Sequence, residues 1–522
     1  MIKNFKWLLL VSLTFVACSK NDEGSTVVEV PITAGTANFS KYVSLGNSLT
    51  AGYSDGALFK KGQEGSYTNI LAKQFALVGG GEFKIPYTND NIGGLLFGGN
   101  TNPAFGPRLY FNGAGPVPVS GTPTTDVFAP NTGGPYNNMG VPGAKSFHLL
   151  AEGYGNPAGL SIGAANPYFV RFASSPGTSI LADALVQNPT FFSLWIGNND
   201  VLSYATSGGI GTNQIGNLNP ATYGSNDITD PNVFGNVYST LVDKLTEKGA
   251  KGVIANIPDI TTIPFFTTVP YNPLKPSVLG AGVISNGDAT IDALNAQLYG
   301  PLKQALTAFG AGDRISLLVK SSKLIPDPSN QLLIKDEYLT NLSAQLTAAL
   351  TPSLGAQTAA AFGAIYGQAR QATPNDYILL SSRAQIGATQ SGVPASINKK
   401  GITYPFEDKL VLSAGEASEL KIATDAYNVT IKNLAQTKGL AFVDASALLS
   451  KVNKPGIRFG NFQITSAYAT GGAFSLDGVH PCPRGYALIA NEFMKAINTT
   501  YGSTFRPVDL SLYPIQFPGI IN

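Results

Sequence analysis

The chain has 522 residues, of which 43% are hydrophobic and 13% are charged. This hydrophobic fraction supports a packed core and excludes a disordered chain. Lys and Arg together number 34 against 32 Asp and Glu, and the net charge of +2 gives no basis for a nucleic-acid partner.

The first residues have the pattern of an export signal. Lys3 and Lys6 precede an apolar run over residues 7–17, which is too short to cross a bilayer. The run leads into Phe-Val-Ala-Cys at residues 15–18, which resembles the lipobox of bacterial lipoproteins. This resemblance implies that residues 1–17 are a signal peptide and that Cys18 is acylated, with chains such as palmitate. A plain secretory signal is the alternative.

Residues 18–38 are predicted to be a polar tether. Their start, Ser-Lys-Asn-Asp-Glu at residues 19–23, resembles the export signal of surface lipoproteins of the Bacteroidetes group. We therefore expect an outer-membrane lipoprotein, exposed at the cell surface and held to the membrane by lipid. With Cys18 acylated, Cys482 has no partner, and no intramolecular disulfide is expected.

The body of the chain alternates predicted strands and helices. A strand over residues 42–45 runs into a turn at Gly46 and Asn47, and Ser48 stands where the turn enters a helix. Later apolar runs predict strands at 191–196, 252–257 and 440–444, and helical spacing predicts helices at 67–78, 233–248, 413–438 and 485–498. The order of strand, helix and strand predicts an α/β fold with a parallel sheet and right-handed crossovers.

Three insertions interrupt this pattern. Residues 79–135 and 203–230 are rich in Gly, Asn and Thr and predict long ordered loops, whereas residues near 322–405 include a helical pair over 336–372. We predict that the pair covers Ser48 as a lid, because connections at the carboxyl ends of parallel strands surround the site. Its apolar face would consist of Leu339, Leu342, Leu346 and Leu350. Packing on the back of the sheet is the alternative.

The chain has two histidines, which limits the search for a catalytic base. A serine nucleophile needs a base to take its proton and a third group to orient that base. Asp477 precedes His480 by three residues, a spacing that brings the two side chains together in a turn. His148 lies among apolar residues and is interpreted as structural. For Ser48, a simple helix N-cap is the alternative to a nucleophile.

A tetrahedral intermediate also requires donors for its oxyanion. Gly140 can present its N–H because no side chain blocks the approach. Asn199 carries an amide on a tight turn after a buried strand, and Ser48 adds its own N–H. We predict an oxyanion hole formed by these three residues.

Four short segments together resemble the signature blocks of the SGNH/GDSL hydrolase family, in the order found in that family. They are Gly46-Asn47-Ser48-Leu49, Asn138-Met139-Gly140, Gly197-Asn198-Asn199-Asp200 and Asp477-Gly478-Val479-His480-Pro481. The resemblance implies a flavodoxin-like three-layer α/β/α sandwich. It also implies a serine esterase or lipase that forms an acyl-enzyme and uses neither metal nor cofactor.

Within this resemblance, Ser48 corresponds to the nucleophile, His480 to the base and Asp477 to its partner. Gly140 and Asn199 correspond to the further oxyanion donors. Asn47 is a departure, because the family usually has Asp before the serine, and the change removes a negative charge beside the nucleophile. The catalytic rate of typical members therefore cannot be transferred to this chain.

The resemblance implies a hydrolase domain over residues 39–505, followed by a C-terminal tail over 506–522. The expected substrate is a carboxylic ester, either a lipid or an acylated carbohydrate. Two other functions stay open. One is a non-catalytic lipoprotein that binds glycans or lipids through its long insertions. The other is an acyltransferase that uses the same site but passes the acyl group to a sugar.

Overall fold

A computed structural model describes residues 31–521. The predicted signal peptide, Cys18 and most of the predicted tether lie outside these described residues. The described part is a mixed α/β structure built on a five-stranded parallel sheet. Among residues 31–521, no helix combines the length and apolar character that a membrane span requires.

The elements follow each other along the chain with short strands outside the main sheet. The strands are β1 (Tyr42–Gly46), β2 (Leu96–Phe97), β3 (Asn100–Thr101), β4 (Leu109–Phe111), β5 (Pro116–Pro118), β6 (Asn138–Gly140), β7 (Phe191–Trp195), β8 (Lys251–Ala255), β9 (Leu333–Lys335), β10 (Ala369–Gln371), β11 (Tyr377–Ile378), β12 (Val411–Leu412), β13 (Ala441–Val443), β14 (Ile457–Phe459) and β15 (Phe462–Ile464). The α-helices are α1 (Ser48–Ala51), α2 (Lys60–Glu64), α3 (Tyr67–Ala76), α4 (Pro167–Val170), α5 (Ile180–Leu185), α6 (Asn199–Thr206), α7 (Pro231–Thr246), α8 (Pro264–Thr267), α9 (Pro276–Leu279), α10 (Ile284–Leu294), α11 (Gly300–Thr307), α12 (Ser343–Leu354), α13 (Ala356–Tyr366), α14 (Ala414–Lys438), α15 (Ala445–Asn453) and α16 (Pro483–Tyr501).

The main sheet has the order β13-β8-β7-β1-β6, with all neighbours parallel. Counted along the chain, its five strands have the order 2-1-3-4-5, a doubly wound arrangement whose switch point lies beside the first strand. In register, Gly46 at the end of β1 lies between Gly140 and Trp195. The chain segments that follow β1, β6 and β7 therefore leave the sheet side by side.

Alternating side chains of the strands point to opposite faces of the sheet. Val43 and Leu45 pack on one face with helices α5, α7 and α14. Tyr42 and Trp195 pack on the other face with α3 and α16. The sheet is thus a buried middle layer between two layers of helices, as near-continuous apolar strands require. The predicted strands and long helices agree with the observed ones to within a few residues.

The local sequence of helix α14 determines where this helix begins and ends. Ser413 caps its first turn by accepting a hydrogen bond from the N–H of Glu416, and the Glu416 carboxylate accepts one in return from the N–H of Ser413. Gly439 ends the helix with a φ of 62°. The capping-box pattern predicted this start, because both of its side chains are encoded three residues apart.

The predicted lid is wrong. Helices α12 and α13 pack against each other and against α10 and α11, where Leu342 and Leu346 are buried in a small separate core. None of their residues lines the cavity beside Ser48. The pair thus buries its leucines within the insertion itself. The insertion begins well before the predicted boundary at 322, because Ile291 and Leu302 belong to the same core.

The insertion contacts the site through a different segment. The N–H of Phe265 in α8 donates to the carbonyl of Gly478 at 2.9 Å, and the side chain of Leu380 packs close to Gly478. Residues 258–267, which follow β8, thus support the chain beside His480. The predicted tail over 506–522 is also packed, since the Arg108 guanidinium donates to the carbonyl of Pro518 at 2.7 Å.

Candidate active site

Ser48 is the first residue of α1, directly after the turn that ends β1. Asn47, rather than Ser48, caps this helix, because its side-chain oxygen accepts a hydrogen bond from the N–H of Leu49 at 3.1 Å. The Ser48 hydroxyl is therefore not needed as a helix cap. Asn47 is fully buried, and its amide nitrogen has no hydrogen-bond partner among the described residues.

Ser48, His480 and Asp477 form a continuous hydrogen-bonded chain. The Ser48 Oγ lies 2.9 Å from Nε2 of His480, and Nδ1 of the same ring lies 2.8 Å from Oδ2 of Asp477. The side chains of His480 and Asp477 are each 14% exposed, so the pair is shielded but reachable from solvent. With Nδ1–H donating to the carboxylate, Nε2 is free to accept the serine proton.

Asp477 is held as a carboxylate by several donors. Its Oδ1 accepts from the N–H groups of Val479 and His480, each at 2.8 Å, and its Oδ2 also accepts from the N–H of Gly56 at 3.0 Å. Burial alone would raise the pKa of Asp477. The neighbouring His480 and these N–H groups outweigh burial and lower that pKa to about 2. Asp477 is therefore ionised at neutral pH and can orient the imidazole.

A loop after α1 clasps the segment that carries this pair. The N–H of Asp55 donates to the Ser475 hydroxyl at 3.0 Å, and Oδ1 of Asp55 accepts from the N–H of Leu476 at 2.9 Å. Tyr53 completes the contact, with its ring centroid 4.6 Å from that of His480. The loop thus fixes the position of His480 relative to Ser48, which lies on the same stretch of chain as the loop.

Asp55 is the strained member of this loop. It is 2% exposed and has a φ of 52°, in the left-handed region. Burial, supported by the charge of Asp477, raises its pKa to about 7, while the N–H of Leu476 and the charge of Arg108 oppose the rise. The native state therefore holds a proton on Asp55 that an unfolded chain releases at a pH of about 4.

We expect Asp55→Asn to stabilise the protein at alkaline pH. The pKa of Asp55 is higher in the native state than in the unfolded chain. Its protonation therefore contributes fully to the free energy of unfolding below a pH of about 4, and this contribution falls as the pH rises and is lost above about 7. Asn keeps an oxygen for the N–H of Leu476, tolerates positive φ and carries no charge. The gain at pH 8 should be on the order of 2–4 kcal/mol. Thermal unfolding at pH 4 and 8 measures it; an equal gain at both values would contradict the expectation.

The prediction for Gly140 is wrong. Its N–H donates to the side-chain oxygen of Asn138 at 2.9 Å, so this donor is already used. A side chain at Gly140 would meet the backbone of Thr50 and Ala51 at less than 3.0 Å. Glycine is therefore required here for close packing of β6 against α1, not for an open approach to substrate.

Gly143, three residues further along, is the better candidate for an oxyanion donor. It lies on the exposed turn after β6 with a φ of 82°, and its N–H forms no hydrogen bond within residues 31–521. The N–H of Ser48 is likewise without an acceptor among the described residues. Two backbone donors therefore remain available on the neighbouring turns that follow β1 and β6.

Asn199 is held beside the same turn. Its amide nitrogen donates to the carbonyl of Ala144 at 2.9 Å, and an amide NH2 has a second hydrogen to give. Asp200 strengthens the connection, because its carboxylate accepts from the N–H of Ser146 at 2.8 Å and from the Ser146 hydroxyl at 2.6 Å. The turn after β6 and the turn after β7 are thus fixed to each other.

His148 and Cys482 lie outside the hydrogen-bonded chain. Nδ1 of His148 accepts from the N–H of Lys145 at 3.0 Å, and its ring stacks on Tyr154. Burial, with the charge of Lys145, lowers the pKa of His148 to about 3, so the ring is neutral. Cys482 is a buried free thiol, and burial raises its pKa to about 12.

The only close group of potential metal ligands found among the described residues lies away from Ser48. The carboxylates of Glu337, Asp408 and Glu416 come within 4.8 Å of one another at the start of α14. Glu416 already serves there as the capping-box residue. None of the three lines the cavity at Ser48.

Comparison with known proteins found no matching family model, no matching curated protein and no matching solved structure. The interpretation of the site therefore rests on its own geometry. Ser48 and Asn199 follow the adjoining strands β1 and β7, and Asp477 and His480 reach Ser48 from the loop before α16, whereas Gly140 is packed against α1. Sequence reasoning missed Tyr53 and Asp55, which have no motif of their own.

Proposed function

We propose that this protein is a serine ester hydrolase that uses Ser48 as nucleophile, His480 as base and Asp477 as the group that orients the base. The hydrogen-bonded chain from the Ser48 hydroxyl through His480 to Asp477 is the observation that carries the proposal. A hydroxyl that is only structural has no need of an imidazole oriented by a carboxylate.

In the proposed reaction, Ser48 Oγ attacks the carbonyl carbon of the ester, and its proton passes to Nε2 of His480. The resulting oxyanion accepts hydrogen bonds from the N–H groups of Ser48 and Gly143 and from the amide of Asn199. The intermediate collapses, and His480 gives the proton to the departing alcohol. Water then attacks the acyl-serine, with His480 as base again, and the carboxylic acid and Ser48 are released.

We further propose that the chain belongs to the SGNH/GDSL hydrolases. Four blocks in the order of that family support this assignment, as do the parallel sheet with strand order 2-1-3-4-5 and the location of Ser48 and Asn199 at its switch point. The assignment includes Asn47 as a departure. The buried and unpartnered amide nitrogen of that residue distinguishes the environment of Ser48 from one with the usual Asp.

Labelling with a fluorescent fluorophosphonate tests the proposal, because the reagent modifies only an activated serine. The folded protein should be labelled, the heat-unfolded protein and Ser48→Ala should not, and p-nitrophenyl esters should be hydrolysed. A folded protein that takes up no label would contradict the proposal and favour the non-catalytic lipoprotein. An added alcohol acceptor separates hydrolase from acyltransferase, since a transferase yields a new ester instead of free acid.

We also propose that Cys18 anchors the protein in the outer membrane through acyl chains, with the domain at the cell surface. More than one acyl chain gives stable anchoring where a single chain is marginal. Cys18→Ala should move the protein from the detergent-extracted membrane fraction to the soluble fraction or leave it unprocessed. Mature wild-type protein free of lipid in the medium would contradict the anchor.

A further inference from the structure

An apolar cavity of about 100 Å³ opens beside the nucleophile. Ser48, His480 and Asn199 all line it, so it begins at the proposed reaction centre. A single water molecule needs roughly 10–15 Å³ of such space. The cavity is therefore large enough for a chain of several methylene groups.

Much of the apolar wall of the cavity comes from three elements. Helix α15 contributes Leu448 and Val452, the start of α16 contributes Leu488, and the segment after β8 contributes Ile260 and Ile263. None of the residues described along its lining is Asp, Glu, Lys or Arg. Apart from the proposed catalytic residues, its polar lining is confined to Asn47 and Asn198, neighbours of Ser48 and Asn199. The cavity therefore has polar residues at the end beside Ser48 and apolar walls elsewhere.

We propose that this cavity binds the acyl chain of the substrate, so that the enzyme acts on esters of medium-length fatty acids in preference to acetyl esters. This inference rests on the proposed hydrolase function. The alcohol must leave after the first step, whereas the acyl group stays attached to Ser48 until water attacks. Apolar walls next to the nucleophile suit the part that stays, and an acetyl group would leave most of them uncovered.

Each methylene buried in the cavity should improve binding of the transition state about fourfold. We therefore expect kcat/KM for p-nitrophenyl octanoate to exceed that for the acetate by at least about tenfold. The chemistry of the walls identifies lipid-type esters as the substrate class. Acetylated carbohydrates, which present a short acyl group and a polar alcohol, do not match them.

Leu448→Phe tests the inference, with Ala447→Phe as its matched control. Leu448 is half-buried and lines the cavity, while Ala447 is exposed on the outer face of the same helix. The ratio of octanoate to acetate kcat/KM should fall about tenfold in Leu448→Phe and stay at the wild-type value in Ala447→Phe. An unchanged ratio in a folded Leu448→Phe overturns the inference. So does a change confined to acetate esters of longer alcohols, which would make the cavity the alcohol site.

A binding measurement separates this inference from the proposed hydrolysis. Trp195 lines the cavity and is the only tryptophan within residues 31–521. In Ser48→Ala that starts at Cys18 and so lacks Trp7, octanoate should change the Trp195 fluorescence with saturation, and acetate should not. Saturable binding without any ester hydrolysis by the wild type would reject the catalytic proposal and keep the cavity as an acyl site. If octanoate shows no saturable binding, the assignment of the cavity to the acyl chain is overturned, even if the wild type hydrolyses esters.

Discussion

Ser48→Ala is expected to lower kcat/KM for ester hydrolysis by at least about a thousandfold while the fold stays intact. Loss of the nucleophile from a Ser-His-Asp triad leaves only the contribution of the oxyanion donors and of substrate binding. The methyl group of alanine fits the space of the serine, and Asn47, not Ser48, caps the helix. Initial rates on p-nitrophenyl butanoate, with circular dichroism as a check of folding, measure the effect.

Ser44→Ala is the matched control for this variant. Ser44 is fully buried in β1, and its hydroxyl has no partner among the described residues. Removing that hydroxyl changes the same strand without touching the hydrogen-bonded chain, so activity should stay within about twofold. If Ser48→Ala kept more than about a tenth of the wild-type rate, Ser48 could not be the nucleophile.

His480→Ala should reduce activity about as strongly as Ser48→Ala. The two residues act as one unit, so their losses should not add. The double variant should be at most about threefold slower than the slower of the two single variants. The reason is geometric, because the only imidazole nitrogen within hydrogen-bond distance of the Ser48 hydroxyl in the described chain is Nε2 of His480. Rates of the three variants on one ester complete the cycle.

His148→Ala provides the comparison with the other histidine. This change removes the acceptor for the N–H of Lys145 and the ring that stacks on Tyr154. We expect a loss of roughly 1–3 kcal/mol in the free energy of unfolding, with kcat nearly unchanged. If His148→Ala and His480→Ala lost turnover equally while both stayed folded, the assignment of the base would have to be withdrawn.

The parts of the fold that sequence could predict are those with local signals. Apolar runs marked four of the five strands of the sheet, all except the short strand β6, and the capping box marked the start of α14. The spacing of Asp477 and His480 was sufficient to predict their contact, because a turn brings residues three apart together. Their approach to Ser48 depends on strand order, for which the sequence offered only the alternation of strands and helices.

The errors have a common physical cause. Gly140 and Gly143 lie on the same stretch of chain, and only the side-chain contact of Asn138 shows which of the two N–H groups is already used. The helical pair α12 and α13 has an apolar face, but the face does not specify its partner. In the structure that partner is the insertion's own helices, α10 and α11. Tertiary packing decides which neighbour each of these residues contacts, and no local sequence pattern predicts it.

The clasp between Asp55 and Leu476 has a consequence for biosynthesis. Ser48 and His480 are separated by 432 positions, so almost the whole chain must be made before the base can meet the nucleophile. Closing so long a loop is entropically costly and slow. A nascent or partly exported chain would carry a serine without its base. Under the proposed function, such a chain would hydrolyse no ester until residues 475–480 bind to the loop after α1.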